Sequence, residues 1–315
     1  MELTMKRILS IDGGGIKGVF PASFLATVED TIEDNIANYF DLIVGTSTGG
    51  IIAMGLGLGL SAKDILKFYE ESGPYIFGGN RFLRSLRWLG IAKYSSKKLK
   101  EKLTICFNQR KLGDSVKRLV IPCTNLETGE VHVYKTAHHP RLQRDYKEEA
   151  IEAVLATTAA PTYFRPHQSS SGTPLTDGGI WANNPVCVAI IEAISVLNWP
   201  KDSIKVLSIG CTTEPLKINW GRRSSLGILY WAKKLINLFM LTPSNASLGM
   251  ASLLIGHENI IRIEPVVPRG RFNLDQTKEI SSLKGLGNSE ARKALPNLNK
   301  IFLNNHAEPF EAYHK

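Results

Sequence analysis

The chain has 315 residues, a formal net charge of +9 and 43% apolar residues, which is ordinary for a globular protein. This length can bury one large α/β core or two smaller ones. Its four cysteines, at positions 106, 123, 187 and 211, show no paired spacing. We therefore expect reduced thiols in a cytosolic protein and no disulfide framework.

The apolar segments are too short for a membrane span. The most apolar of them, residues 49–60, is twelve residues long, whereas a spanning helix needs about 20. The first residues also lack the long apolar run of a signal peptide. The positive charge is compatible with a polyanionic partner, such as an anionic membrane face or a nucleic acid, and equally with simple solubility. The positive charge is dispersed along the chain, and the sequence contains no motif of a known nucleic-acid-binding fold. A nucleic-acid binder is therefore the least favoured class.

Strands and helices are predicted to alternate along the chain. Strand-like segments lie at 7–13, 40–50 (running into a turn), 116–126, 130–136 and 203–212, and helix-like segments lie at 19–36, 49–59, 61–73 and 146–161. The strands are apolar on both faces, which favours a largely parallel sheet covered by helices on each side. We expect one domain over 1–315, with a motif-bearing core at 6–210 and a mainly helical part at 211–315.

A glycine-rich turn, "DGGGIKG", follows the first strand. Gly13, Gly15 and Gly18 fit the dinucleotide pattern G-x-G-x-x-G. That function also needs an acidic residue at the end of the second strand to hold the ribose. The second strand ends instead in Thr46 and Ser47, and the Walker ending is missing. A nucleotide site is therefore disfavoured.

A different anion suits this turn better. Successive glycines let several backbone N–H groups point into one concavity, and the following helix adds the positive end of its dipole. Such a nest stabilises the oxyanion that forms when an ester carbonyl is attacked. The alternative is a tight strand-to-helix turn that needs positive φ.

The segment "GTSTG" matches G-x-S-x-G and lies between a predicted strand and a predicted helix. This is the setting of a nucleophile elbow, a sharp turn that exposes a serine hydroxyl. It makes Ser47 the candidate nucleophile. The alternative is a turn of small residues that packs strand against helix.

A serine nucleophile needs a base, and two kinds are available. His257, His306 and His314 follow in the chain order of α/β-hydrolases, but only one strand precedes the elbow strand, unlike in that fold. Asp177 instead stands directly before two glycines, where its carboxylate can approach a hydroxyl without obstruction. It could take the serine proton and later activate water. The alternative for Asp177 is an Asx-turn that caps its own backbone.

Taken together, "DGGGIKG", "GTSTGG" and "DGGIWANNP" resemble, in order, the motifs of the patatin-like phospholipase family. The segment "ATTAAPTYFRP" resembles the stretch before that family's catalytic aspartate. The resemblance is good over residues 6–210. It implies an α/β fold, a three-layer α/β/α sandwich with a largely parallel central sheet, and a Ser–Asp dyad without histidine.

By position, the resemblance makes Ser47 the nucleophile and Asp177 the base, with the N–H groups of Gly13, Gly14 and Gly15 lining an oxyanion hole. Residues that support these motifs are Asp12, Lys17, Gly18, Gly45, Gly49, Gly178 and Gly179. The implied activity is metal-independent and cofactor-free hydrolysis of acyl esters in membrane phospholipids. A general esterase or thioesterase, and a weakly active lipid-binding or storage protein, remain alternatives.

A lipid hydrolase must also meet a bilayer, so we expect a cytoplasmic protein that binds transiently to the inner face of the membrane. Residues 225–241 predict a basic amphipathic helix, and 81–103 form a second basic stretch. Either could equally pack on the core or face solvent. Some bacterial members of the family are effectors of cyclic-oligonucleotide anti-phage signalling, which implies a cyclic-nucleotide activator.

Overall fold

The computed structural model describes residues 4–78, 91–215 and 235–315, with the backbone alone at 235–240. Within these ranges, eight strands form one mixed sheet in the order β5-β6-β3-β2-β1-β7-β8, with β4 paired to β3. The strands are β1 Lys6–Ile11, β2 Leu42–Gly45, β3 Arg118–Asn125, β4 Val131–Lys135, β5 His167–Gln168, β6 Pro174–Asp177, β7 Ile204–Ile209 and β8 Ile260–Ile263.

Helices cover both faces of the sheet. They are α1 Val19–Ile32, α2 Thr48–Gly57, α3 Ala62–Phe77, α4 Ser96–Phe107, α5 Ala150–Thr157, α6 Gly179–Ala182, α7 Val186–Ser195, α8 Leu235–Ile255 and α9 Ile280–Ile301. Helices α7 and α8 pack on one face, and α1 to α5 with α9 pack on the other. The predicted three-layer α/β/α arrangement is confirmed.

Alternate residues of the central strands supply the two cores. Ile8 of β1 packs with Val186 and Ile190 of α7 on one side. Leu9 of β1, its neighbour, belongs to the core on the other side, which includes Phe20 of α1. Since successive side chains of a strand point to opposite faces, a strand that is covered on both faces is mainly apolar on each of them. This is why these strands have no polar face in the sequence.

The sheet is largely parallel, as predicted. β1 runs parallel to β2 and β7, β2 to β3, and β7 to β8. β4 and β6 run antiparallel to β3. The part after residue 210, predicted to be mainly helical, also contributes β8 to the sheet and α9 to the core beside α1.

The two segments predicted to meet a membrane lie partly outside the described residues. Of 225–241, residues 225–234 are not described; of 81–103, residues 81–90 are not described. The remainder of the second segment includes the start of α4. Among the described helices, none combines the length and apolarity that crossing a bilayer requires.

Candidate active site

The register of β3 brings the ends of two strands together. At Val120, β3 pairs with Val44 of β2 on one edge and with β4 on the other. Further along, Cys123 pairs with Asp177 of β6, again opposite β4. β2 and the antiparallel β6 therefore share one edge of β3, with their C-terminal ends facing each other. Ser47 follows one of these ends, and Asp177 is the other.

Ser47 lies at a sharp turn between β2 and α2. Its backbone has φ 54 and ψ −120, and α2 starts at the next residue. A non-glycine residue with positive φ is strained, and such strain concentrates at functional sites. The flanking glycines permit this turn: a Cβ at Gly45 would lie 2.1 Å from the Gly49 carbonyl oxygen, and one at Gly49 would lie 2.2 Å from that of Ile11.

Ser47 and Asp177 are hydrogen-bonded. The Ser47 hydroxyl donates to Asp177 Oδ2 at 2.6 Å, and the Gly179 N–H donates to Asp177 Oδ1 at 2.7 Å. Burial raises the pKa of Asp177 to about 6, although both hydrogen bonds favour the charged form. A carboxylate with its pKa close to the working pH is suited to accept and return a proton.

The glycine turn after β1 faces the same place. Gly14 and Gly15 line the cavity that contains Ser47 and Asp177. The Gly13 N–H, in contrast, donates to the Asn183 carbonyl at 3.0 Å. An N–H that is already bonded to a carbonyl is not free to bind an oxyanion. Of the three N–H groups predicted to line an oxyanion hole, those of Gly14 and Gly15 are therefore the ones that remain suitable.

Charged side chains brace this turn. Asp12, at its start, forms an ion pair with Arg262 of β8, whose Nη1 lies 2.9 Å from Asp12 Oδ1. Lys17 Nζ donates to the Thr212 carbonyl at 3.0 Å. Gly18 contacts α2 closely, since a Cβ there would lie 2.1 Å from Thr48 Oγ1. The turn is thus held from the sheet edge, from the segment after β7 and from α2.

The aspartate turn is also closely packed. A Cβ at Gly178 would lie 2.3 Å from the Pro122 carbonyl oxygen of β3. Asn183, six positions after Asp177, carries a buried Oδ1 with no hydrogen-bond partner in the described part of the chain. The Thr46 hydroxyl donates a hydrogen bond to the Ala182 carbonyl at 2.6 Å. The serine turn and the segment of the aspartate turn are therefore directly hydrogen-bonded to each other.

Sequence reasoning missed two residues that hold the site. Thr157, at the end of α5, accepts the Ser47 N–H at 2.9 Å and donates to the Pro122 carbonyl at 2.6 Å. Arg262 is the second. Thr157 lies in the segment noted for its resemblance to the family, whereas nothing in the local pattern around Arg262 indicates its partner 250 positions away.

The histidines considered as bases lie elsewhere. His306 contacts Asp34, with 2.7 Å between Nε2 and Oδ2, and His314 contacts the Pro140 carbonyl. His257 lies on the surface after α8. Within the described ranges, none of the three forms a hydrogen bond with Ser47, whose side chain instead contacts Asp177.

An apolar cavity of about 440 Å³ opens onto Ser47 and Asp177. Its volume is in the range of sites for small organic ligands, about 300–1,000 Å³. The apolar part of its wall includes Ile51, Phe68, Ile76, Phe77, Leu99 and Phe164. A hydrocarbon chain can therefore be buried here with its ester beside the serine hydroxyl.

The Ser47 hydroxyl is hydrogen-bonded to a carboxylate and lies beside a glycine turn on an α/β/α sandwich. This arrangement is expected of a serine acyl hydrolase. The family model described as patatin-like phospholipase matches residues 9–190. The chain belongs to this family. Membership confirms the predicted family and the predicted class of enzyme, a lipid acyl hydrolase.

Similar proteins carry more specific names. The chain is 32% identical over 302 residues to "cGAMP-activated phospholipase" of Pseudomonas aeruginosa, covering 91% of this chain and 88% of that protein. It is 32% identical over 337 residues to the protein of the same name from Escherichia coli, covering 97% and 94%. The crystal structure of VipD from Legionella pneumophila aligns with a TM-score of 0.49 at 14% identity, covering 93% of this chain and 67% of that one.

Proposed function

We propose that the protein hydrolyses acyl esters of membrane phospholipids through a Ser47–Asp177 dyad and is activated by a cyclic dinucleotide. The observation that carries the dyad is the 2.6 Å hydrogen bond from the Ser47 hydroxyl to Asp177 Oδ2. It satisfies the first requirement of nucleophilic catalysis, a nucleophile within reach of its base.

In the acylation step, Ser47 Oγ attacks the ester carbonyl carbon while Asp177 Oδ2 accepts the hydroxyl proton. The carbonyl oxygen becomes an oxyanion, which the N–H groups of Gly14 and Gly15 stabilise. Losing one donor of such a hole typically costs about 3–4 kcal/mol of barrier. Asp177 then returns the proton to the leaving alkoxide oxygen, and an acyl-Ser47 ester and a lysophospholipid result.

In the deacylation step, Asp177 acts as a base again. It takes one proton from a water molecule, and the resulting hydroxide attacks the acyl-Ser47 carbonyl. Collapse of the second tetrahedral intermediate releases the fatty acid, and the proton passes from Asp177 to Ser47 Oγ. One carboxylate thus serves both half-reactions, in agreement with its raised pKa of about 6.

Two features support a membrane lipid as the substrate, and a third supports one functional domain. The cavity beside the dyad has a mainly apolar wall suited to an acyl chain. The net charge of +9 favours transient contact with an anionic membrane face. Joining of β8 and α9 to the sheet and core supports a single functional domain over 1–315. A cytoplasmic enzyme that works at the inner membrane face fits these features.

Activation by a cyclic dinucleotide is supported by the names of the relatives. Two proteins named cGAMP-activated phospholipase match 91% and 97% of this chain. We therefore propose cGAMP as the activator of this enzyme. An anti-phage role, predicted from the family resemblance, depends on this activation and stays a prediction.

The test is fatty-acid release from vesicles of bacterial phospholipids in the presence of EDTA, with and without cGAMP. We expect release that needs cGAMP and is lost in Ser47→Ala and Asp177→Asn. Release that survives Asp177→Asn would contradict the dyad. Hydrolysis of short p-nitrophenyl esters without vesicle hydrolysis would favour a general esterase, and no hydrolysis in any condition would favour a lipid-binding or storage protein.

A further inference from the structure

A second, more polar cleft opens beside the acyl cavity. Its volume is about 190 Å³. The two cavities share three wall residues, Leu99, Thr158 and Phe164. The cleft and the acyl cavity are therefore neighbours that lie against the same three side chains.

The cleft is lined by unneutralised positive charge. Lys97 and Arg165 are exposed at its wall, and neither forms an ion pair within the described ranges. Lys100 lies 4.0 Å from Glu152. That carboxylate is already engaged, because Glu152 Oε2 lies 2.8 Å from His167 Nε2. A concave surface with a surplus of cations concentrates positive potential and attracts an anion.

The wall of the cleft continues directly from the backbone that holds the dyad. Thr158 follows Thr157, whose hydroxyl accepts the Ser47 N–H at 2.9 Å. The next residue, Ala159, accepts the Asp177 N–H through its carbonyl at 3.2 Å. One short segment at the end of α5 thus contributes both to the wall of the cationic cleft and to the contacts that hold Ser47 and Asp177.

We propose that this cleft binds the phosphate of the phospholipid substrate through Lys97, Lys100 and Arg165. This inference rests on the proposed lipid acyl hydrolase function. In a glycerophospholipid only the glycerol backbone separates the acyl esters from the phosphate. An ester carbonyl held at Ser47 therefore leaves the phosphate close to the shared wall.

The size of the cleft favours a lipid headgroup over a whole cyclic dinucleotide. Its 190 Å³ is below the range of about 300–1,000 Å³ typical of sites that enclose a small organic ligand. A phosphate with part of a headgroup needs less room than two linked nucleosides. The position of the cleft next to the acyl cavity also fits a group that belongs to the same molecule as the acyl chain.

The test compares two soluble substrates that differ in the phosphate. They are dihexanoyl phosphatidylglycerol, kept below its critical micelle concentration, and dihexanoylglycerol, both at saturating cGAMP. The variants are Lys97→Gln, Arg165→Gln and their combination. Lys201→Gln is the matched exposed control, in the turn just before β7 and thus at the opposite end of the parallel strands. Melting temperatures verify that each variant is folded.

We expect kcat/KM for the phospholipid to fall by about tenfold for each cation removed, because a charge-assisted hydrogen bond is lost. The fall should be mainly in KM. Hydrolysis of dihexanoylglycerol should be unchanged in all variants, and Lys201→Gln should match the unmodified protein on both substrates.

Two results would overturn the assignment. An equal loss on both substrates would mean that the cations act on the activator or on the catalytic centre. A repeat over a range of cGAMP concentrations tells these apart, since only an effect on the activator shifts the concentration needed for activation. No loss on either substrate would mean a solvated surface. Failure of the proposed function is distinct, since the unmodified protein itself would then fail to hydrolyse the phospholipid.

Discussion

Arg262 of β8 and Asp12, the residue after β1, form a two-point ion pair across 250 positions of sequence. Arg262 Nη1 lies 2.9 Å from Asp12 Oδ1, and Nη2 lies 2.5 Å from Asp12 Oδ2. Nη1 also donates to Ser208 Oγ at 2.7 Å. The Asp12 side chain is only 3% exposed and that of Arg262 is 14% exposed. The glycine turn beside Ser47 is thus anchored to the strand at the edge of the sheet.

Arg262→Leu should strongly destabilise the protein. It leaves the Asp12 carboxylate buried without its partner, and breaking a buried pair in this way typically costs about 3–5 kcal/mol. Urea unfolding measures the loss. The double variant Asp12→Asn/Arg262→Leu should be less destabilised than the sum of the single variants, because the unpaired charge is gone. A loss below about 1 kcal/mol in Arg262→Leu would show that the pair does not anchor the turn.

Short-range patterns in the sequence predict the residues of the candidate site better than they predict the distant residues that hold the site in place. The motif of the serine turn and that of the aspartate turn each span only a few consecutive residues, and each motif directly follows a strand. Both can therefore be identified from the sequence. Arg262 was not, because its role depends on β8 joining the sheet beside β7. The sequence of β8 itself indicates only an apolar strand that carries one charged residue.

The glycine turn shows a second limit of the sequence. Three consecutive glycines offer three N–H donors, and nothing local distinguishes them. The pairing of Gly13 with the Asn183 carbonyl at 3.0 Å depends on how the aspartate turn folds back over the glycine turn. A contact between two distant loops leaves no periodic pattern in the sequence. The predicted oxyanion hole therefore includes the N–H groups of all three glycines.

The activity should depend on the ionisation of Asp177. Burial raises its pKa to about 6, and only the ionised carboxylate can accept the Ser47 proton. We therefore expect kcat/KM for p-nitrophenyl butyrate to rise about tenfold per pH unit below pH 6 and to level off above it. The profile is measured between pH 4.5 and 8 with cGAMP present. A flat profile over this range would exclude Asp177 as the titrating base.

Asp177→Asn should be inactive but more stable than the unmodified protein at pH 7. The pKa of Asp177 is about 6 in the folded state and about 3.9 when unfolded. Folding therefore favours the protonated form, and this stabilisation, present below pH 4, is lost as the pH rises through 6. At pH 7 the buried charge costs about 3 kcal/mol, and an uncharged amide avoids most of that cost.

Urea unfolding at pH 4 and pH 7 separates this effect from others. The amide should stabilise the protein by about 1–3 kcal/mol at pH 7 and by little at pH 4, where the aspartate is itself protonated. Ser47→Ala is the control for loss of the dyad's hydrogen bond without loss of the charge. Equal effects of Asp177→Asn at both pH values would contradict a raised pKa.

Thr157 should be a positioning residue for the nucleophile. Its hydroxyl accepts the Ser47 N–H at 2.9 Å and donates to the Pro122 carbonyl at 2.6 Å, and its side chain is fully buried. Thr157→Val keeps the shape but leaves both backbone groups without a partner, at about 1–3 kcal/mol for each group. Since the strained Ser47 turn depends on this contact, kcat should fall by about 10- to 100-fold with little change in KM. Thr157→Ser, which keeps the hydroxyl, should retain most of the activity, and an equal loss in both variants would attribute the effect to packing of the methyl group instead.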